Sequence, residues 1–270
     1  MRFVCPKCGE KLNICDSRAV CLAGHSYDRA RGGYYNLLLG NVGGTHGDNK
    51  DMVFARRAFL GGGYYAPLAR YLAFLVLDFT PEGGALLDAG AGEGYYTDII
   101  EQNLFARDGK SDVSAYDISK DAVREISRKN KRISLAVAGS YHMPIADAEF
   151  DTVINTFSPL ALSETRRVLK TGGHFIMAIP GEMHLYDLKS VIYDTPYKNE
   201  VADTALEGFE LVMDEPLTYK FMLRDQEEIR NLFMMTPYAY RTRPEDREKV
   251  LALNTLDCTA DFRVFVYKKL

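Results

Sequence analysis

The sequence predicts an α/β protein built on a doubly wound parallel sheet, with an antiparallel C-terminal strand pair and a small metal-binding segment at the N-terminus. Strand and helix patterns alternate from residue 85 to residue 179, the order that gives a parallel sheet. Two long strand patterns follow, and helical patterns separate them. Four of the five cysteines lie within the first 21 residues, as expected of a segment that a metal stabilises.

The individual elements follow from the periodicity of the apolar residues. A helical pattern spans residues 51–79 and is broken by three glycines at residues 61–63. Strands are expected at residues 85–89, 113–117, 133–138, 150–155 and 174–179. Helices are expected between them at residues 95–105, 120–130 and 161–169. A turn is expected at residues 170–173. Residues 209–223 and 258–268 are expected to form the antiparallel closing pair.

The bulk composition is that of a globular protein with a local positive region. The 270 residues are 47% hydrophobic, and a net charge of −4 argues against a protein that coats nucleic acid indiscriminately. The first 60 residues nevertheless hold nine basic against five acidic side chains, which favours an anion-binding face. No apolar run approaches the length of a membrane span and no signal-peptide pattern begins the chain. We therefore expect a cytoplasmic protein with no membrane partner.

The spacing of four cysteine and histidine side chains predicts a structural zinc site. Two residues separate Cys5 from Cys8, and three residues separate Cys21 from His25. Two such pairs can surround one zinc ion tetrahedrally, and four protein ligands leave no open position for catalysis. Cys15 is left over, because its spacing to either pair is poor.

Three regions follow along the chain. Residues 1–36 form a zinc-binding domain, residues 37–50 a glycine-rich linker and residues 51–270 the main α/β domain. The zinc-binding domain also carries arginines and tyrosines close together, a mixture that suits RNA phosphates and unstacked bases. The same tyrosines could instead pack the small domain onto the main one. Composition leaves both alternatives open.

A glycine-rich turn after the first strand of the main domain predicts a site for a cationic ligand. It carries Gly90, Gly92 and Gly94 together with two acids, Asp88 and Glu93. A dinucleotide-binding turn has its third glycine one position later, and a phosphate needs amides and positive charge around it. The two acids would repel a phosphate and attract an ammonium group. The turn resembles motif I of the methyltransferases that use S-adenosylmethionine (SAM), which carries an ammonium group and no phosphate.

Later strand ends supply other residues that such a site needs. Asp117 ends the second strand, where a carboxylate can hold ribose hydroxyls, with a helix cap as the alternative. The fourth strand ends at Asn155, and Ser158 and Pro159 follow in the next loop. Side-chain or backbone acceptors at this point can hold the group that is methylated. These three residues are therefore the candidate catalytic residues.

Further motifs make the chain similar to one family of methyltransferases. They are the zinc spacing, the Ala-Arg-Arg-Ala-Phe-Leu segment at residues 55–60 with Tyr65 and Pro67, the glycine turn, Pro180-Gly181 with His184, and the Met-Thr-Pro-Tyr segment at residues 235–238. In this order they resemble the bacterial 23S rRNA (guanine-N1)-methyltransferases. The resemblance extends from Cys5 almost to the C-terminus.

That resemblance implies a Rossmann-like, class I SAM-dependent methyltransferase fold. It also implies one zinc ion on the four ligands named above, and SAM contacts from Tyr65, Gly92, Glu93 and His184. The implied reaction is methylation of N1 of a guanine in a hairpin loop of 23S rRNA, of the type at position 745 or 748. In some members this reaction is linked to macrolide resistance. The resemblance further implies a homodimer with a shared RNA cleft.

Basic and aromatic residues near the predicted site are the candidate RNA contacts: Arg56, Arg57, Tyr240, Arg241 and Arg243. Family members commonly carry tryptophan where Tyr240 stands, and tyrosine keeps an aromatic stacking face. No residue identifies itself as the base that takes the guanine proton. His142 and Asp51 are candidates, with a surface histidine and a helix-capping aspartate as the alternatives.

Two other functions are compatible with the sequence. The main domain could methylate a small molecule, with zinc serving only to stabilise the fold. The chain could instead be a non-catalytic, zinc-dependent RNA-binding protein that no longer uses SAM. The acidic main domain favours the first alternative, and the intact glycine turn with Asp88 argues against the second.

Overall fold

The structure is a computed structural model that describes residues 1–40, 47–201 and 204–270. The glycine-rich part of the predicted linker, at residues 41–46, lies outside the described residues. Near the N-terminus, three short antiparallel strands form a small sheet, namely β1 (Asn13–Cys15), β2 (Arg18–Val20) and β3 (Ser26–Asp28).

The main sheet has eight strands within the described part of the chain. They are β4 (Tyr35–Asn36), β5 (Ala85–Ala89), β6 (Asp112–Asp117), β7 (Ser134–Val137), β8 (Phe150–Thr156), β9 (Leu169–Pro180), β10 (Phe209–Leu223) and β11 (Leu256–Lys269). Their spatial order is β10-β11-β9-β8-β5-β6-β7-β4. Neighbours from β4 to β9 are parallel, and β11 is antiparallel to both β9 and β10. The predicted doubly wound sheet with an antiparallel closing pair is confirmed.

Helices connect the strands and cover the sheet. They are α1 (Lys50–Gly61), α2 (Ala66–Phe79), α3 (Tyr95–Asp108), α4 (Lys120–Lys129), α5 (Leu162–Val168), α6 (Tyr186–Ile192), α7 (Gln226–Met235), α8 (Tyr238–Arg241), α9 (Pro244–Leu251) and a short 3-10 helix (Ser140–His142). The predicted glycine break separates α1 from α2. Pro67 stands in the first turn of α2, where its missing N–H has no helical partner to lose. Within the described ranges, no helix is long and apolar enough to cross a membrane.

One predicted turn belongs to a strand instead. The sequence predicts a turn at residues 170–173, but β9 begins at Leu169 and runs through them, with a shift in its register against β8. Gly172 has a φ of 76°, and a Cβ on Gly173 would lie 2.8 Å from the Asp151 carbonyl oxygen. The two glycines therefore allow an irregular, closely approaching strand where a turn was expected.

The zinc-binding segment covers part of one face of the main sheet. Side chains of a strand alternate between faces, so Leu86 packs into one apolar cluster and Leu87 into a second one. The second cluster contains Phe3 and Tyr35 from the N-terminal segment, and both are buried. The tyrosine therefore packs the segment onto the main domain, one of the two alternatives above. The domain limits at residues 36 and 50 stay predictions.

Candidate cofactor-binding site and zinc centre

The four predicted zinc ligands converge near the N-terminus. The ligand atoms of Cys5, Cys8, Cys21 and His25 all lie within 4.8 Å of one another. The sulfurs of Cys8 and Cys21 are 3.7 Å apart, and His25 Nδ1 lies 3.4 Å from the Cys21 sulfur. Zn–S bonds of about 2.3 Å in a tetrahedral site place two sulfurs about 3.8 Å apart. The donor set and its spacing therefore fit one structural zinc ion.

Two tight turns shape this cluster. The N–H of Gly9 donates to the Cys5 carbonyl over 2.8 Å, and the N–H of Gly24 donates to the Cys21 carbonyl over 3.0 Å. Both glycines have positive φ, 75° and 81°, where other residues are strained. Cys15 is exposed at the end of β1 and is not part of the cluster.

The glycine-rich turn lies at the carboxyl end of β5 and leads into α3. Gly90, Gly92 and Gly94 have φ values of 83°, 56° and 77°. A Cβ on Gly90 would lie 2.6 Å from the Cβ of Ser158 and closer still to its hydroxyl, in the loop after β8. Glycine is therefore required at residue 90 both for the backbone conformation and for the close approach of the two loops.

Two buried acids flank this turn with unsatisfied oxygens. One oxygen of Asp88 accepts a 2.6 Å hydrogen bond from the Thr97 hydroxyl, and the other has no partner among the described residues. Glu93 Oε2 likewise accepts no hydrogen bond there and lies 3.8 Å from Arg56 Nη1. Burial raises the pKa of Asp88 to about 7 and also raises the pKa of Glu93. Buried acceptors without donors are compatible with a ligand that brings N–H groups.

Asp117 joins the end of β6 to the glycine-rich turn. Its carboxylate accepts a 2.9 Å hydrogen bond from the N–H of Gly92 and a 2.7 Å hydrogen bond from the N–H of Ser119. The cap of α4 is the Ser119 side chain, so Asp117 does not take that role. Burial raises the pKa of Asp117. A ribose contact from this carboxylate stays a prediction.

Arg56, one of the predicted RNA contacts, lies beside the glycine-rich turn. Its guanidinium bonds the carboxylate of Asp48 and lies 3.8 Å from Glu93 Oε2. Burial opposes the charge of Arg56, but Asp48, Glu93 and Asp117 outweigh it and raise its pKa. The side chain is thus held among the acids of the glycine-rich turn, and its contact with an RNA phosphate stays a prediction.

Tyr65 and His184 form a buried pair although they are 119 positions apart in the sequence. The Tyr65 hydroxyl lies 3.1 Å from His184 Nε2, and His184 Nδ1 accepts a 3.3 Å hydrogen bond from the N–H of Asp261. Burial lowers the pKa of His184 to about 4, so the ring is neutral at pH 7. With Nδ1 accepting, the proton lies on Nε2 and is donated to Tyr65. The hydroxyl proton of Tyr65 then remains available to a ligand.

Asn155 holds the loop that follows β8. It is buried, and its amide nitrogen lies 3.4 Å from the carbonyl oxygens of Ala89 and Pro159. Its Oδ1 has no partner in the described part of the chain. Ser158 is half-buried and Pro159 is exposed. Of the three candidate catalytic residues, these last two are therefore the ones that a large substrate can reach.

Sequence reasoning missed Phe157, which lies in the same loop. Its φ is 58°, an uncommon conformation for an aromatic residue. Its ring centroid lies 6.5 Å from that of Tyr65, 6.3 Å from that of His184 and 5.5 Å from that of Phe262. The sequence shows an aromatic residue at this position. It does not show the left-handed backbone or the ring partners, which are far away along the chain.

Comparisons with known proteins identify the family. The model described as "Methyltransferase domain" matches residues 87–177, and the zinc-ribbon model described as "RlmA, N-terminal" matches residues 3–39. The 23S rRNA (guanine(748)-N(1))-methyltransferase of Streptomyces fradiae is 30% identical over 255 residues, covering 92% of this chain and 89% of that protein. A Bacillus subtilis (strain 168) protein provisionally named 23S rRNA (guanine-N(1)-)-methyltransferase is 30% identical over 280 residues, covering 99% and 97%. The chain belongs to this family.

For this member of the 23S rRNA (guanine-N1)-methyltransferase family, a solved structure agrees on the fold. It comes from Galdieria sulphuraria and is provisionally described as a sarcosine dimethylglycine methyltransferase. It is 15% identical, covers 82% of this chain and 98% of its own, and has a TM-score of 0.50. The predicted class I SAM-dependent methyltransferase fold is thus confirmed, as is the N-terminal zinc ribbon.

The residues of this methyltransferase fit SAM. The unpartnered buried oxygens of Asp88 and Glu93 can accept hydrogen bonds from an ammonium group, and the same carboxylates exclude a phosphate. The left-handed glycines leave backbone open beside them. When bound, SAM supplies a methyl group on a positively charged sulfur.

The remaining candidate RNA contacts differ in whether they already pair with another side chain. Arg57 and Arg243 each pair with a carboxylate, at 2.8 Å and 3.0 Å. Tyr240 and Arg241 in α8 are exposed, and the Tyr240 hydroxyl accepts a 3.4 Å hydrogen bond from the side chain of Asn49. Tyr240 and Arg241 are therefore the predicted contacts that are exposed and held by no carboxylate within the described ranges.

The two candidate proton acceptors do not lie at the glycine turn. His142 is exposed on the 3-10 helix that follows β7. Asp51 lines a groove of about 810 Å³ between α1, α7 and α9, and the cap of α1 is Asn49. Neither placement identifies a base for the guanine proton.

If Asp88 holds the ammonium group of SAM, SAM affinity will increase with pH between about pH 5.5 and 7, because the ionised carboxylate attracts that group more strongly than the neutral form does. The pKa of Asp88 is about 7, so its ionised fraction falls by up to about tenfold for each pH unit below 7. SAM affinity should fall by a similar factor. Isothermal titration calorimetry across this range measures the effect. The Asp88→Asn variant should bind SAM weakly and without this slope. A flat profile in the unaltered protein would contradict the role of Asp88.

The stability of the ligand-free protein should show the opposite slope. The carboxyl of Asp88 has a higher pKa in the folded protein than its ordinary value of 3.8, so the folded state binds the proton more tightly. The contribution of Asp88 to stability is therefore largest below about pH 4 and is lost as pH rises through about 7. Thermal melts of the unaltered protein and of Asp88→Asn separate this contribution from that of other groups.

Proposed function

We propose that the protein transfers a methyl group from SAM to N1 of a guanine in a hairpin loop of 23S rRNA. One observation carries the proposal. Over 92% of its length the chain matches an enzyme named for guanine-N1 methylation of this rRNA. The zinc ligands and the buried acids of the glycine turn support it, because this chain brings together a four-ligand zinc cluster and, at the glycine turn, buried carboxylate oxygens that accept no hydrogen bond within the described residues.

The proposed chemistry is an in-line displacement: guanine N1 bonds to the methyl carbon opposite the sulfur, the bond from that carbon to sulfur breaks, and neutral S-adenosylhomocysteine leaves. Guanine N1 carries a proton at neutral pH, so this proton must leave before or during attack. Because SAM is already a reactive methyl donor, much of the catalysis lies in positioning the two reactants. The Watson–Crick edge of the guanine must also be exposed, as in a loop or a flipped nucleotide.

Each element of the site has a role in this proposal. Asp88 and Glu93 hold the ammonium end of SAM, and Asp117 holds its ribose. Tyr65, positioned by His184, donates its hydroxyl proton to the same ligand. The backbone carbonyls of Ser158 and Pro159 accept hydrogen bonds from the edge of the guanine, while Asn155 fixes the loop that carries them.

The RNA contacts would come from the zinc-binding segment and from α8. Tyr240 offers an exposed aromatic face, and Arg241 offers an exposed charge for phosphate. In bacteria this substrate is found in the cytoplasm, so we place the protein there. Following the family resemblance, we also propose that two copies assemble around the RNA, which light scattering of the purified protein tests.

The purified protein is expected to label unmodified 23S rRNA with the methyl group of radioactive SAM. Primer extension on the product should stop at one guanine, because an N1 methyl group blocks base pairing. A metabolite extract serves as the competing substrate, and Asp88→Asn is the control with impaired SAM binding. Label in the extract alone would support the small-molecule alternative. Absence of SAM binding by calorimetry would support the non-catalytic RNA-binding alternative.

A further inference from the structure

Phe157 has an unfavourable backbone conformation at the edge of the cofactor site. Its φ of 58° lies in the left-handed region, which glycine or asparagine adopts with less strain. Its N–H donates a 3.1 Å hydrogen bond to the Ala178 carbonyl in β9, which holds the residue in this conformation. Strained residues that the surrounding structure holds in place are concentrated at functional sites. The strain therefore calls for an explanation in terms of the side chain.

The phenyl ring of Phe157 packs against buried aromatic rings and is itself partly exposed to solvent. It stacks on the His184 ring at 6.3 Å and 22°, and lies 6.2 Å from Tyr96 and 5.5 Å from Phe262. These three partner rings and Tyr65 are buried, whereas Phe157 is 39% exposed. Among the rings of this cluster, Phe157 is therefore the accessible one, and buried rings pack against it.

This surface lies next to the cofactor turn. Ser158, the next residue, approaches Gly90 so closely that an added Cβ there would lie 2.6 Å from its own Cβ. The His184 ring behind Phe157 is bonded to Tyr65, one of the predicted SAM contacts. In the proposed function, the methyl acceptor enters at this boundary between the loop after β8 and the glycine turn.

We propose that the exposed face of Phe157 stacks on the guanine that is methylated. This inference rests on the proposed function and adds a residue that selects and positions the base. A planar purine is a natural partner for an accessible ring, and base–aromatic stacking is a common mode of recognition of unpaired bases. In this proposal the left-handed backbone places the ring at the exposed edge of the cluster, which accounts for a phenylalanine where glycine would fit with less strain.

The decisive variant is Phe157→Gly, because it removes the ring and relieves the strain together. Loss of ring packing and relief of strain act on stability in opposite directions, so the variant should remain folded. In steady-state assays with 23S rRNA, the ratio kcat/KM should fall about 5-fold to about 150-fold, the range that base–aromatic stacking contributes. SAM affinity by calorimetry should change less than about threefold. Phe157→Tyr keeps a stacking face and should retain most of the activity.

Two matched variants separate stacking from structural effects. Ala148→Gly relieves similar left-handed backbone strain, because Ala148 has a φ of 50° in an exposed turn. Phe74→Ala removes an exposed phenyl ring from α2, where it is 57% accessible. Both should leave kcat/KM for RNA unchanged. If the unaltered protein fails to methylate rRNA, the proposed function fails; if it is active and Phe157→Gly matches it, or loses SAM affinity instead, the stacking role of Phe157 is wrong.

Discussion

The Gly90→Ala variant is expected to lose SAM binding almost completely while it still folds. A left-handed alanine costs about 1–2 kcal/mol relative to glycine. In addition, the new methyl group would lie 2.6 Å from the Cβ of Ser158, so either the glycine-rich turn or the loop after β8 must move. A shift of this turn displaces the buried oxygens of Asp88 and Glu93 from the ligand. We expect SAM affinity to fall at least about 100-fold, equivalent to about 2.7 kcal/mol.

The matched control for this variant is Gly172→Ala. Gly172 has a φ of 76°, and no atom lies within 4 Å of an added Cβ there. The control should therefore lose the same 1–2 kcal/mol of stability from backbone strain and keep its SAM affinity. Urea unfolding and calorimetry on both variants separate the two effects. The double variant Gly90→Ala with Ser158→Gly removes the clash but not the strain, so it should recover part of the lost affinity; no recovery would contradict the steric explanation.

Much of the fold and of the site could be predicted because its signals are local. The strand at residues 85–89 ends directly before the acidic glycine turn, and the predicted limits match β5. The spacing of Cys5, Cys8, Cys21 and His25 predicts a cluster that the structure assembles. In both cases neighbouring residues in the sequence are also neighbours in space, so backbone preference and ligand chemistry can be read from a short segment.

What sequence reasoning missed depends on contacts between distant segments. A charged residue such as Arg56 is typical of a surface, but its ion pairs with Asp48 and Glu93 hold it beside the glycine-rich turn. The strand β4 has two residues, too few for a periodic signal, and is defined by its pairing with β7. The left-handed backbone of Phe157 follows from its bond to Ala178 in β9. None of these arrangements leaves a pattern in the local sequence.

Removal of the zinc ion is expected to unfold the N-terminal segment and to abolish RNA methylation while SAM still binds. Structural zinc contributes on the order of 10–16 kcal/mol in isolated zinc-finger peptides, and strands β1 to β3 are too short to persist without it. The segment also buries Phe3 and Tyr35 against the main sheet, so its loss exposes apolar surface and frees the edge of β7. The cofactor turn is formed by other parts of the chain and should survive.

The Cys21→Ser variant tests this expectation against Cys15→Ser. Cys21 is a buried member of the cluster, whereas Cys15 is exposed and outside it, so both variants make the same chemical change. Cys15→Ser should keep one zinc per chain and full activity on 23S rRNA. Cys21→Ser should lose zinc by elemental analysis, show rapid hydrogen exchange in residues 1–36 and lose rRNA methylation, with SAM affinity within about threefold of the unaltered protein. The predicted SAM contacts lie outside the zinc-binding segment. If Cys21→Ser loses SAM affinity to the same extent as rRNA methylation, the segment supports the whole fold, and a separate role in RNA recognition is contradicted.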